Sequence, residues 1–389
     1  MSVILGFSNT HNGSVALIRD GEVKVAIQAE RISRQKRKNL PLGDESELAQ
    51  KCVRYCLDAS GLQYQDIDDI ALSTPWKVKK INNDDLFQYI GGIPKNYVET
   101  FYVPHHFSHM EYIIHYGELE PGIVLVVDGS GTLESDRVNF NVEEYHHPQI
   151  IKHVHFSGKE VISAYWFDGT ISSLIYRFSP SRAPVDNPNS GSLKQSIGHF
   201  WEWASLYCCG SRNEAGKVIG LAAFGEVGPS DKDTFLSILD DGQLKLDFKS
   251  LNKKYKEPNV FGLDLSNSKH HQNLALKVQL ETEAVLLNLL GMLKEKFPTN
   301  NLYLSGGVAL NVVANERIKN SNLFKNVILN GSVEDNGTAI GAGLAASIKL
   351  GFQRKSSLIT DYYGIHYNDK DIIEAVKQFN FKYKVLSDK

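Results

Sequence analysis

Two histidines four positions apart are the feature of this sequence that most directly suggests chemistry. They stand in segment 103–109, Val-Pro-His-His-Phe-Ser-His. Pro104 suits the first turn of a helix. A helix that begins there places His105 and His109 on one face, the spacing at which two imidazoles bind one metal ion. No glutamate stands between them as in zinc proteases, which disfavours metal-dependent peptide hydrolysis. The alternative is that the histidines are packed or solvated beside aromatic residues.

Two aspartates are candidates to complete a metal site. Asp128 follows the apolar, β-branched run 123–127, which is typical of a buried strand. Ligands cluster at such strand ends in α/β sheets, and a carboxylate there needs a cation or a donor. Asp335 stands in an acidic turn before a helix rich in small residues. It is either part of an ordinary helix cap, with Asn336, or a fourth metal ligand. The paired histidines favour a transition metal.

Two glycine-containing segments could bind phosphate or adenosine. In segment 304–311, Leu-Ser-Gly-Gly-Val-Ala-Leu-Asn, a strand enters two glycines and opens a helix. Backbone amides there could approach an anion, although the segment is neither a Walker loop nor a dinucleotide fingerprint. In segment 215–225, Lys217 stands between glycines and could meet a phosphate as a point charge. The alternatives are tight packing in the first segment and a solvated lysine in a glycine-rich turn in the second.

A third polar segment, 10–14, lies in the first predicted hairpin. It reads Thr-His-Asn-Gly-Ser. Gly13 and Ser14 could form an anion-binding nest of backbone amides, and His11 could act as a general base near neutral pH.

Composition limits the class of protein that positions these groups. The 389 residues suggest two or three domains, and 42% hydrophobic with 22% charged residues is ordinary for globular proteins. This excludes a disordered tail, a fibre and a coiled coil. A net charge of −3 gives no reason to expect a nucleic-acid or membrane-surface protein. No apolar run approaches the roughly 20 residues that cross a bilayer, and no secretory signal is recognisable.

The cysteines indicate the compartment. Four are too few and too irregularly placed for a disulfide framework. Cys52 and Cys56 are expected to be buried thiols on a helix, and Cys208 with Cys209 forms either a core-packed or a redox-active pair. We therefore expect a reducing, cytoplasmic location.

The predicted elements form two blocks. The first has strands at 3–8, 14–18 and 23–28, with Asp20-Gly21 as a hairpin turn, a helix at 45–59 and a strand at 67–73. The second has strands at 123–127, 150–155 and 161–166, a loop at 179–193, helices at 196–208 and 273–297, and a βαβα ending. Both blocks open with an apolar strand that enters a glycine-containing polar turn. This predicts an internal duplication around a cleft that suits a nucleotide.

Taken in order, these motifs resemble the O-carbamoyltransferase family of antibiotic tailoring and nodulation-factor biosynthesis. The resemblance runs through ILGFSNTHNGSVALIRDGEV, AERISRQK, VPHHFSH, VVDGSG, GKVIGLAAFG, SGGVALN and EDNGTAIGAG. It implies an α/β fold of duplicated actin/sugar-kinase/Hsp70-like (ribonuclease-H-like) halves around a nucleotide cleft, similar to the tRNA threonylcarbamoyl transferase. The implied division is a first half at 1–120, a second half with the metal and adenylate motifs at 121–360, and a stub at 361–389.

The resemblance also implies site residues and cofactors. Those matching an iron-type divalent metal site, with zinc or manganese as alternatives, are His105, His109, Asp128 and Asp335. The family's hairpin histidine, which resembles a catalytic base, falls on His11. Contacts to ATP-derived carbamoyl adenylate fall on Gly129, Ser130, Gly216, Lys217, Gly220, Gly306, Gly307 and Asn311.

This sequence departs from the family in three places. Asn12 follows the hairpin histidine where the family usually has an aspartate, and Arg37 follows Lys36 where a histidine is usual. The Glu-Phe-Gly-Pro-Arg-Ala-Leu-Gly motif of the domain that activates carbamoyl phosphate is absent from the sequence. We therefore expect a transfer domain whose activating domain is on a separate polypeptide or lost.

Three alternatives to a carbamoyltransferase that transfers to a hydroxylated acceptor remain open. The first is an inactive transfer subunit or scaffold that needs a partner to make the adenylate. The second is a kinase of the same superfold, whose metal would be held mainly by carboxylates and water. The third is a nucleic-acid-directed enzyme, suggested by basic residues with a tryptophan near some of them: Arg31, Arg34, Lys36, Arg37 and Lys38, then Trp76, Lys77, Lys79 and Lys80. A basic run is usually a solvated face, and segments 80–100 and 179–193 carry no recognisable acceptor code.

Overall fold

The first block folds as a five-stranded mixed sheet. The computed structural model describes residues 2–40, 47–75, 99–116, 118–133, 146–151, 158–180, 195–228, 233–240, 242–255, 268–355 and 361–385. The strands are β1 (Val3–Ser8), β2 (Ser14–Arg19), β3 (Glu22–Gln28), β4 (Asp69–Ser73) and β5 (Glu99–Val103), in the order β3-β2-β1-β4-β5. At the β2–β3 turn, Asp20 and Gly21 have φ of 53° and 80°, so the predicted turn is confirmed as one with both central residues left-handed.

The second block repeats this topology. Its strands are β6 (Gly122–Val127), β7 (Ile162–Phe167) and β8 (Ser172–Phe178), then a separate hairpin of β9 (Leu236–Ile238) and β10 (Leu244–Leu246), then β11 (Asn301–Ser305) and β12 (Asn326–Ile328). The sheet order is β12-β11-β6-β7-β8. In each sheet the first strand pairs antiparallel with the second and parallel with the fourth. The predicted duplication is therefore confirmed.

Ten α-helices connect and cover the sheets within the described residues. They are α1 (Ala29–Ser33), α2 (Glu47–Ser60), α3 (His105–His115), α4 (Ile197–Cys209), α5 (Ala215–Ala222), α6 (Phe248–Tyr255), α7 (Ser268–Lys296), α8 (Val312–Asn320), α9 (Thr338–Lys349) and α10 (Asp369–Gln378). Short 3₁₀ turns precede α8 and α9, at Gly307–Leu310 and Asp335–Gly337.

Helices α3 and α9 lie together between the two sheets. Although α3 follows the first sheet in sequence, it packs on β6 and β11, whereas α9 packs on β1, β2 and β4. Small residues make this possible: a Cβ at Gly6 would lie 2.0 Å from the carbonyl oxygen of Ala339, and one at Gly341 would lie 1.8 Å from that of Ser108. The close backbone approach brings the N-terminal ends of α3 and α9 to the same place between the sheets.

Most sequence-predicted elements are present, with three differences. The segment around Lys217 is the helix α5 and not a glycine-rich turn. Strands β5, β8, β9 and β10 were not predicted, and most of the predicted strand 150–155 and loop 179–193 lies outside the described residues. Cys52 and Cys56 are buried thiols on α2, as predicted. No helix in the described part of the chain is long and apolar enough to cross a membrane.

Candidate metal centre

The four sequence-predicted metal ligands converge at one buried point between the sheets. His105 and His109 stand in the first two turns of α3, Asp128 directly follows β6, and Asp335 opens the 3₁₀ turn before α9. Nε2 of His105 lies 3.3 Å from Oδ2 of Asp128 and 3.2 Å from Oδ1 of Asp335. Nε2 of His109 lies 3.4 Å from the same Asp335 oxygen. One nitrogen or oxygen from each residue lies within 4.8 Å of the others.

The fold supplies these ligands from strand ends and one helix turn. The proline before α3, with φ −55°, leads the chain from β5 into the helix, so that the i,i+4 spacing stacks the imidazoles of His105 and His109 edge-to-face at 4.7 Å. Asp128 and Asp335 arrive from the second half of the chain. A cation here would therefore be bound by both halves.

Two serines orient the imidazoles from behind. Ser73 ends β4 and Ser305 ends β11, which are the fourth strands of the two repeats. Oγ of Ser73 lies 3.4 Å from Nδ1 of His105, and Oγ of Ser305 lies 3.2 Å from Nδ1 of His109. A hydrogen bond to the ring nitrogen that does not bind the metal fixes the tautomer of a metal-binding histidine. Sequence reasoning missed both serines, although Ser73 closes one predicted strand and Ser305 directly follows another.

The hydrogen-bond network assigns the tautomer of His109. Ser305 donates its hydroxyl proton to the carbonyl oxygen of Val333, at 3.3 Å, so its oxygen accepts from Nδ1–H of His109. When the ring is neutral, Nε2 of His109 then carries the lone pair. This buried nitrogen has no hydrogen-bond partner and faces the Asp335 carboxylate. In the neutral ring this lone pair would face a carboxylate with no proton between them, an arrangement that a cation relieves, so the residues present fit a metal ion.

Electrostatics supports the same fit. Burial lowers the pKa of His105, but the charges and hydrogen bonds of Asp335 and Asp128 outweigh it and raise this pKa to about 10. Burial raises the pKa of Asp335, yet the neighbouring histidines hold it well below its usual range. Two carboxylates held ionised at one buried point, with two imidazoles, match the charge and donor set of a divalent transition metal.

His11 lies at the rim of this cluster. In the β1–β2 turn, its Nδ1 is 3.2 Å from Oδ2 of Asp335 and its Nε2 is 3.6 Å from Oε1 of Glu334, and its side chain is 54% exposed. Burial of the ring lowers its pKa, but these two carboxylates raise the pKa of His11 to about 10. In this arrangement the imidazole is charged and pairs with both carboxylates of the acidic turn, Glu334 and Asp335. Glu334 was not predicted as a site residue.

The double glycine of segment 304–311 supports the metal ligands directly. Gly307 donates its amide to Oδ1 of Asp128 at 3.1 Å, and Gly306 donates to the carbonyl oxygen of Val333 at 2.8 Å. Gly306 has φ +91°, and a Cβ there would lie 2.3 Å from the carbonyl oxygen of Val127. Both amides therefore have protein acceptors here. The tight-packing alternative accounts for Gly306.

The remaining predicted adenylate contacts fall into two groups. Asn311 is buried, caps α8 by accepting from Ala314 N at 3.0 Å, and donates to Gln279 at 2.9 Å. By contrast, a Cβ at Gly129, Gly216 or Gly220 would meet nothing within 4 Å. Ser130 follows Gly129 in the loop after Asp128. Lys217 is 70% exposed and pairs with Glu214 at 3.0 Å. Packing of the chain does not fill the space beside these glycines, so a ligand could lie there.

The basic segment after β3 makes contacts within the chain. Arg37 lies 3.8 Å from Glu334 and donates to Asn213 at 3.4 Å, and Arg31 pairs with Glu30 at 3.7 Å. Arg37 thus joins the first half to the second beside His11. The second basic group, Trp76, Lys77, Lys79 and Lys80, lies outside the described residues.

Comparison with known proteins finds nodulation proteins among the relatives of this chain. It is 24% identical over 377 residues to nodulation protein NolNO of Sinorhizobium fredii, covering 91% of this chain and 48% of the relative. It is 24% identical over 380 residues to nodulation protein U of Bradyrhizobium diazoefficiens, covering 88% and 61%. The chain thus spans about half to three-fifths of the length of these relatives.

Comparison with solved structures supports the fold. HypF of T. kodakarensis superposes with a TM-score of 0.55 at 14% identity, covering 92% of this chain and 49% of that one. With the repeated strand order, this confirms the duplicated actin/sugar-kinase/Hsp70-like fold. Residues 3–101 and 79–344 match the family described as the carbamoyltransferase N-terminus. The chain therefore belongs to the carbamoyltransferase N-terminus family.

Proposed function

We propose that this chain transfers a carbamoyl group from carbamoyl adenylate to a hydroxyl group of a small-molecule, sugar or nucleotide acceptor, with a divalent cation in the site. Fe²⁺ is the first candidate, and Zn²⁺ or Mn²⁺ are alternatives. The observation that carries the proposal is the convergence of His105, His109, Asp128 and Asp335 at one buried point, where one nitrogen or oxygen of each lies within 4.8 Å of the others. Membership of the carbamoyltransferase N-terminus family supplies the reaction class.

His105, His109, Asp128 and Asp335 would hold the cation. When bound, it supplies Lewis-acid polarisation of the carbamoyl carbonyl. The chain's own contribution is to keep two imidazole nitrogens and two carboxylate oxygens pointing at one position. Ser73 and Ser305 hold the rings, and the Gly307 amide holds Asp128.

His11 is proposed to take the proton of the acceptor. The acceptor oxygen bonds to the carbamoyl carbon, the bond from that carbon to the adenylate phosphate oxygen breaks, and AMP leaves with the bonding electrons. The acceptor proton passes to Nε2 of His11, the ring nitrogen that does not face Asp335. Asp335 and Glu334 raise the pKa of His11 in the structure, and a cation bound to Asp335 would lower it towards the range of a base. Its half-exposed position on the rim suits an acceptor arriving from solvent.

The adenylate is proposed to lie along the open glycines. Gly129, Gly216 and Gly220 leave uncovered backbone, and Lys217 offers a mobile positive charge for the phosphate. Gly306, Gly307 and Asn311 are proposed to form the wall between this ligand and the metal ligands. Their own hydrogen bonds make that wall rigid.

The source of the adenylate is a separate part of the proposal. The relatives are longer than the region they share with this chain. We propose that a further polypeptide region, on this or another chain, activates the carbamoyl group. An assay with preformed carbamoyl adenylate tests transfer alone, and one with ATP and carbamoyl phosphate tests the need for a partner.

The experiment uses the full chain, freed of metal and reloaded anaerobically with Fe²⁺. Carbamoyl adenylate and a panel of hydroxylated acceptors are added, and the products are identified by mass spectrometry. We expect an O-carbamoyl product from the loaded protein and none from His105→Ala. ATP-dependent phosphorylation of an acceptor would support a kinase instead. A product formed only on RNA or DNA would support the nucleic-acid-directed alternative. Transfer and metal content unchanged in His105→Ala would refute the metal assignment.

A further inference from the structure

A fully buried ion pair lies beside the first turn of α3. Glu160 and Arg177 are 0% and 1% exposed, and Nη2 of Arg177 is 3.2 Å from Oε2 of Glu160. Arg177 comes from β8, and Glu160 precedes β7. A buried charged pair is costly to desolvate and is weak evidence for stability by itself. The hydrogen bonds of the other Glu160 carboxylate oxygen, Oε1, indicate the role of the pair.

The second carboxylate oxygen of Glu160 joins two segments of the metal centre. Oε1 lies 3.2 Å from the amide nitrogen of His106 and 3.3 Å from that of Thr132. The first of these amides belongs to the opening turn of α3, whose N–H groups lack helical partners and favour a negative charge. The second belongs to the loop that begins with Asp128. One oxygen thus bridges the element that carries both histidines and the loop that carries an aspartate.

Thr132 completes this bridge. Its Oγ1 accepts from the amide of His105 at 2.8 Å and donates to the carbonyl oxygen of Thr74 at 3.2 Å. The backbone of Glu160 pairs with the same loop, accepting from Gly131 N at 2.6 Å and donating to the carbonyl oxygen of Thr132 at 3.3 Å. The loop is close enough that a Cβ at Gly131 would lie 2.3 Å from Cγ of Glu160.

From this geometry we infer that Glu160 is a positioning residue of the metal centre. It fixes the first turn of α3 against the Asp128 loop, and Arg177 neutralises its charge. The inference rests on the proposed function, because it assumes that these ligands bind a cation. Glu160 is not one of the four candidate ligands; it sets where His105 and Asp128 stand relative to each other.

Two neutral double variants separate position from charge. Glu160→Met with Arg177→Met removes the pair and the acceptor for both amides. Glu160→Gln with Arg177→Met is equally neutral but keeps an acceptor oxygen. The probe is Co²⁺ alone, because its visible absorption reports ligand geometry. We expect the methionine pair to bind Co²⁺ about tenfold more weakly with a shifted spectrum, as outer-contact losses typically do. The glutamine variant should resemble the wild type.

A remote site provides the matched control. Glu281 is also a buried carboxylate that accepts from two backbone amides, those of Phe235 and Leu236, and it pairs with Lys277 at 3.4 Å. Glu281→Met with Lys277→Met should lower the melting temperature and leave the Co²⁺ affinity and spectrum unchanged. If the Glu160→Met pair does not fold, Glu160→Asp is the substitute. It keeps the charge, but its shorter side chain cannot bridge both amides, so it should show the same weakened binding.

The outcomes distinguish the two levels of the proposal. Equal Co²⁺ affinity and spectra in the methionine and glutamine variants, or in Glu160→Asp and the wild type, would overturn the positioning role and leave the metal centre intact. Wild-type protein that binds no divalent cation would overturn the metal centre and this inference with it.

Discussion

The hydroxyl of Ser305 accepts from Nδ1 of His109 at 3.2 Å while it donates to the carbonyl oxygen of Val333 at 3.3 Å. Together these two hydrogen bonds place a proton on Nδ1 of His109. The other ring nitrogen, Nε2, is directed into the candidate metal centre. In the neutral ring this arrangement leaves Nε2 of His109 as the electron-pair donor there. The orientation is set before any cation arrives.

Removing the Ser305 hydroxyl should weaken metal binding without unfolding the protein. Ser305→Ala frees the His109 ring to change tautomer or rotate, and we expect a loss of about 10- to 100-fold in divalent-metal affinity. Competitive titration against a chromophoric chelator measures it. Ser205→Ala is the control, since Ser205 is also buried and donates to a backbone carbonyl, that of Ser211, at 2.6 Å. Equal affinities for the two variants would contradict the orienting role.

A bound divalent cation should stabilise the folded chain. Ligand at 100 times its dissociation constant adds about 2.7 kcal/mol of unfolding free energy. We therefore expect the melting temperature of the wild type to rise with Zn²⁺ or Mn²⁺ and to fall again with a chelator. Asp335→Asn should abolish the increase, because Asp335 is the carboxylate closest to both histidines. A rise of equal size in this variant would show binding elsewhere.

Two glycine substitutions should have opposite effects on stability. Gly306→Ala forces a Cβ against the Val127 carbonyl at positive φ, and we expect a loss of more than about 1 kcal/mol. Gly220→Ala, on an open helix face, should gain about 0.5–1 kcal/mol. Urea unfolding measures both.

The same Gly220→Ala variant tests the proposed adenylate surface. If the ligand covers this face, the added methyl group should weaken binding of carbamoyl adenylate despite the greater stability. A stabilised variant with unchanged adenylate affinity would place the ligand elsewhere.

A buried neutral histidine should make stability fall in mild acid. Burial lowers the pKa of His115, with a smaller opposing effect from Glu111. The unfolded chain, with a histidine pKa of about 6.5, therefore binds more protons below that pH, and the free energy of unfolding decreases as pH falls. His115→Gln should show less decrease between about pH 7 and 5.

The comparison with the variant isolates His115 from other groups. His105 and His11 have raised pKa values, so their contribution is complete below about pH 6.5 and is lost only as pH rises towards about 10. Urea unfolding of metal-free protein across this range provides the measurement. Parallel pH curves for the wild type and His115→Gln would count against the prediction.

Local patterns were sufficient for much of this fold. The apolar runs of β1 and β6, the Asp20-Gly21 turn and the i,i+4 histidines depend on neighbours in sequence, and each was predicted. Strand β8 was not predicted because Arg177 interrupts its apolar pattern. The arginine is buried there because it pairs with the buried Glu160. The serines and Glu334 escaped because their partners are brought to them by sheet register and helix packing. The segment around Lys217 was interpreted as a turn because Gly216 and Gly220 weaken the helical pattern of α5.

The positions of α3 and α9 mean that the boundary between the repeats is not a boundary between folding units. Each repeat carries, at its C-terminal side, the helix that covers the sheet of the other. A gene divided near codon 121 would encode two pieces, each exposing the apolar face that its counterpart's helix must shield. The two repeats therefore depend on each other to complete their cores.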